Sequence, residues 1–113
     1  MKTLMTILTL SLSLSAFSMT VDEKAGHCME MRYQKDAVFC LRNIGEELVS
    51  VRDACIDIRF KNKLELGSQY RRATMISFEA ARMICRKESN KNPVYEQNCI
   101  NLKLTEDVEQ ICN

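Results

Sequence analysis

Six cysteines, Cys28, Cys40, Cys55, Cys85, Cys99 and Cys112, are the residues of this chain best equipped for chemistry. Structural zinc sites draw on cysteine pairs two to four residues apart, and no two of the six stand that close. Their even number suits oxidation to disulfides, and the segment ahead of them favours the same outcome. Residues 1–18 read MKTLMTILTLSLSLSAFS, with Lys2 ahead of an apolar stretch from Leu4 to Leu14 and small residues, Ala16 and Ser18, before Met19. That is the pattern of a cleaved export signal, and an exported chain meets an oxidising compartment. The expectation is a signal peptide over 1–18 and a single disulfide-rich helical domain over 19–113, secreted or periplasmic.

Other chemistry is thinly provided. His27 is the one histidine, so a nucleophile–His–acid arrangement has to use it, and no nucleophile or acid surrounds it in a recognised pattern. The acid pairs Glu46-Glu47 and Glu106-Asp107 read as residues of helix starts, where the dipole favours negative charge. Glycine-rich phosphate loops and acidic metal loops are absent from the sequence. The cluster His27-Cys28-Met29-Glu30-Met31 holds soft donors that suit monovalent copper. On a helix, however, alternate residues point about 200° apart, so these donors do not converge. The chain reads as no enzyme, with no cofactor and no metal.

Charge is balanced overall but unevenly placed. Residues 19–58 carry 8 acids and 5 bases, 59–91 carry 3 acids and 9 bases, and 92–113 carry 4 acids and 1 base. Nucleic-acid binders are usually basic throughout, so nucleic acid is not an expected partner. The basic middle suits an anionic envelope component or an acidic protein, with Arg71 and Arg72 as the contact residues. The apolar part of 1–18 falls short of the roughly 20 residues a spanning helix needs, and no stable membrane insertion is expected.

These residues must be positioned by helices. Glu, Lys, Arg, Leu, Met and Ala are plentiful, alternating β-branched runs are missing, and the chain has three glycines and one proline. Ala37, Leu41, Ile44, Leu48, Val51, Cys55 and Ile58 follow one another by steps of four and three, the stripe of an amphipathic helix. Gly45 weakens that helix by about 1 kcal/mol relative to Ala, yet the stripe keeps its phase across it, which favours one long helix. A shorter helix holds Val21, Ala25 and Cys28, separated from the long one by a turn over Arg32–Lys35. A polar loop over Asn62–Gly67 with Ser68 as N-cap precedes a third helix to about Lys87, with Ala73, Ile76, Ala80, Met83 and Ile84 on its buried side. Asn92 and Pro93 then open a fourth helix, and Thr105 caps a separate short one. The fold class is all-α, a small disulfide-stapled bundle of about four helices.

If the second, third and fourth helices run up, down and up, Cys55 and Cys112 meet at one end. At the other end, turns roughly midway between Cys28 and Cys40 and between Cys85 and Cys99 favour those two hairpin staples; the rival pairing Cys40–Cys85 with Cys28–Cys99 is geometrically open, and sequence separation does not choose between them. Export, rigidity and missing catalytic groups point to a non-catalytic binding protein acting on another protein, as inhibitor, immunity factor or adhesion partner. The alternative is a secreted effector or toxin acting on membranes or anionic polymers through the basic segment.

Overall fold

The computed structural model describes residues 19–113; the expected export signal at 1–18 lies outside the described residues. Four helices follow one another: α1 Val21–Met29, α2 Gln34–Arg59, α3 Leu64–Glu88 and α4 Pro93–Cys112, with no strand among the described residues. The bundle is all-α, and three disulfides, Cys28–Cys40, Cys55–Cys112 and Cys85–Cys99, staple it. Each bridge ties a different pair of helices: α1 to α2, α2 to α4, and α3 to α4.

α2 and α4 run parallel and form the spine. Near its middle, α4 approaches α2 so closely that a Cβ on Gly45 would lie 2.9 Å from Asn101 Oδ1. Asn101 is buried there, and its Nδ2 donates to the Leu41 carbonyl at 2.7 Å while its Oδ1 accepts from Gln97 Nε2 at 3.3 Å. A buried amide is tolerable only when bonded in this way. Gly45 therefore does not break α2. It gives the next helix room to approach.

The core draws on all four helices: Ala25 and Cys28 from α1, Leu41, Ile44 and Leu48 from α2, Cys85 from α3, and Ile100 and Leu104 from α4. α3 runs down against the α2–α4 pair, crossing the spine with Phe78 packed on the core. Its start is held by the Phe60–Tyr70 ring pair, with centroids 5.4 Å apart, and by Gly67, where a Cβ would meet Phe60 Cβ at 3.2 Å.

Several local expectations need correction. α2 starts at Gln34, with Tyr33 as N-cap, so the turn ends before Lys35. Val51 and Ile58 are 47% and 77% exposed, while Arg52 at 6% and Ile56 take the buried positions. A strict seven-residue stripe lags an α-helix by about 20° per heptad, so at Val51 and Ile58, two and three heptads beyond Ala37, it has turned about 40–60° away from the core-facing line. α3 starts at Leu64, and Ser68 lies inside it rather than capping it. α4 is one helix to Cys112: Thr105 Oγ1 donates back to the Asn101 carbonyl at 2.8 Å, a bond that keeps Thr inside a helix. Asn92 does cap α4, accepting from the Val94 amide at 3.0 Å, with Pro93 at the first helical position.

The largest correction concerns the rotation of α3. Its inward side is Gly67, Tyr70, Thr74, Phe78, Ala81 and Cys85, all buried or half-buried. Ala73, Ile76, Ala80, Met83 and Ile84, expected in the core, face outward.

Candidate functional site

All six cysteines are in disulfides, which leaves no thiol among the described residues for catalysis or metal binding. His27 lies exposed on α1, Met29 packs against the core and Met31 follows the helix in a turn, so the three do not share a face. No group of three or more His, Cys, Asp or Glu side chains is placed to hold a metal ion among the described residues.

The two arginines singled out in the sequence have different surroundings. Arg71 Nη2 pairs with the Asp57 carboxylate and donates to the Asp53 carbonyl at 3.4 Å, tying α3 to α2. Its Nε is buried without a partner. Arg72, one position on and about 100° around the helix, is exposed. Two further bases of the segment meet acids, Arg82 Nη1 at 3.4 Å from Glu79 and Arg86 Nε at 3.1 Å from Glu96, while Arg59, Lys61, Lys63, Lys87 and Lys91 form no ion pair among the described residues.

Two surface features bear on binding. One is a shallow groove of about 450 Å³ along the α2–α4 seam, floored by Val49, Phe78, Ile100 and Leu104 and rimmed by Arg42, Glu46 and Gln97. Its floor is apolar and its rim carries one charge of each sign. The other is the outer face of α3, where Leu66 is 47%, Ile76 66%, Met83 75% and Ile84 53% exposed, with Ala73 and Ala80 between them. Single exposed apolar side chains are ordinary, but a line of them along one helix is a surface on which another molecule can dock. Methionine strengthens that reading, because its flexible thioether adapts to a partner and is enriched at interfaces.

Between Arg52 and Asp107 the α2–α4 contact carries a buried charge. Arg52 is nearly fully buried, its Nε 3.9 Å from the Asp53 carboxylate, and its Nε and Nη1 lack hydrogen-bond partners. Burial pushes the Asp107 carboxyl above the ordinary carboxylate range; the Arg52 charge opposes that shift and the neighbouring Glu106 adds to it. The surroundings are a helix–helix contact and not a cleft, which makes this pair part of the architecture.

The chain matches no family model, no curated protein and no solved structure. The site therefore rests on its own geometry. The outer α3 face was missed in the sequence because its spacing is that of a core stripe; the phase of Cys85 is the signal that separates the two sides. Cys85 has to point inward to reach Cys99, and the residues sharing its side are Ala81, Phe78 and Thr74, not Ile76 and Met83.

Proposed function

We propose that this chain is a non-catalytic binding protein of an oxidising compartment, secreted or periplasmic, that works by docking another protein molecule on the outer face of α3. The supporting observation is that the core closes with Phe78 and Cys85 on one side of α3 while Leu66, Ile76, Met83 and Ile84 stay in water on the other. The Cys85–Cys99 bridge ties the presenting helix to α4, and the other two bridges join α4, α2 and α1, which limits the ordering entropy that binding costs. Such a rigid apolar surface suits an inhibitor, an immunity factor or an adhesion partner. No helix is long and apolar enough to cross a membrane among the described residues. The alternative, an effector acting on membranes or anionic polymers through its basic segment, has weaker support, since Arg71, Arg82 and Arg86 already meet acids of the same chain.

The test places a photoreactive phenylalanine analogue at Ile76, and as a control at exposed Glu109 on α4, in the protein made by an exporting host. The expected result is a discrete adduct from position 76 that position 109 does not give. No adduct from 76, or the same smear from both, rejects the reading.

A further inference from the structure

We infer that the molecule taken up by the outer face of α3 is a second copy of this chain, packed antiparallel about a two-fold axis; the inference rests on reading that face as a docking surface. Leu66, Gln69, Ala73, Ile76, Ala80 and Met83 succeed one another by alternating steps of three and four, the seam of a helix pair. All six lie in α3 and all six are exposed.

The flank of the seam selects the partner. Glu65, Arg72, Glu79 and Arg86 stand one heptad apart along one edge, all exposed and alternating in sign. In an antiparallel pair with Ala73 opposite Ile76 of the second copy, Leu66 falls opposite Met83 and Gln69 opposite Ala80. Each layer sets a small or flexible side chain against a larger one. In that register Arg72 meets Glu79 of the second copy and Glu65 meets Arg86, and the two-fold axis forms each pair twice. A slide of one heptad brings Arg72 against Arg86 and Glu79 against its own counterpart, repelling at every flank position. A parallel arrangement sets the same edge against Tyr70, Ser77 and Ile84, which carry no charge. Edge charges of this kind set orientation and register in helix pairs. The intrachain contacts Glu79–Arg82 and Arg86–Glu96 leave room for the new ones, since a guanidinium has five donors and a carboxylate about four acceptor sites.

Sedimentation equilibrium of the oxidised protein over a micromolar concentration series tests this. The expected result is a reversible monomer–dimer equilibrium. Arg72→Glu should weaken it about tenfold, as two symmetric attractions become repulsions, and Glu79→Arg added to the same chain should restore it. A protein monomeric throughout the series overturns the inference, and so does a dimer that the double charge reversal fails to restore. The two readings fail separately. Adducts from position 76 to a different protein, with a monomer in solution, remove the second copy alone; no adduct at all removes the docking surface.

Discussion

Replacing Gly45 with alanine sets local propensity against tertiary packing, and the two predict opposite signs. Inside a helix Gly→Ala gains about 1 kcal/mol from propensity alone. Against that, the new Cβ would sit 2.9 Å from Asn101 Oδ1, closer than side chains tolerate, with Leu104 Cδ1 3.9 Å away. Asn101 is not free to turn aside, because its amide is bonded to the Leu41 carbonyl at 2.7 Å and its oxygen to Gln97. Either α2 and α4 move apart, an overpacking cost of about 1–3 kcal/mol, or Asn101 gives up buried bonds at about the same cost. After the propensity gain is subtracted the variant should lose up to about 2 kcal/mol, lowering the thermal midpoint by as much as roughly 15 °C for a domain of this size. Urea unfolding followed by far-ultraviolet circular dichroism measures it. In an Asn101→Ala background the obstacle is gone, and the same change should stabilise by about 1 kcal/mol. A Gly45→Ala variant that is more stable than the parent would refute the close approach of α4 to α2.

Three further outcomes follow from the same contacts. Arg71→Ser should cost about 1 kcal/mol by releasing α3 from Asp57 and Asp53, whereas exposed Arg72→Ser should stay within about 0.5 kcal/mol; equal effects in paired melts would remove the distinction. Replacing both cysteines of a bridge by serine should cost most for Cys55–Cys112, about 4 kcal/mol against about 3 for either of the other two, because it closes the longest loop; melts of the three double variants rank them. Arg52→Met removes the charge that opposes the effect of burial on Asp107, so it should move the Asp107 titration, followed by NMR, still higher. Because that carboxyl binds its proton more readily folded than unfolded, its penalty applies at neutral pH. The penalty is relieved as pH falls through the folded value toward the ordinary one, and a downward shift in the variant would contradict this.

The helical class, the long helix through Gly45 and the Asn92–Pro93 start of α4 were all legible from periodicity and capping chemistry, because these signals are local. What depended on neighbours was not. The stripe from Ala37 predicts burial correctly as far as Leu48 and then fails at Val51 and Ile58, since a pattern of sevens lags a helix of 3.6. For α3 the apolar spacing identifies a face without saying what covers it. This helix has two such faces, and the one richer in Ile and Met looks more like a core, while the side with Thr74, Phe78, Ala81 and Cys85 faces it. Gly45 alone carries no sign of Asn101, which lies 56 positions away in the chain.

The central claim is that the outer side of α3 is free in the folded monomer and serves association. The most direct measurement is the thermal midpoint of an Ile76→Asp, Met83→Asp variant, at a protein concentration low enough to keep the parent monomeric. The account predicts a midpoint within a few degrees of the parent, because both side chains are mostly in water, together with loss of association at higher concentration. A fall as large as core substitutions produce, with unfolding already at low concentration, would put that face inside the molecule and contradict the account.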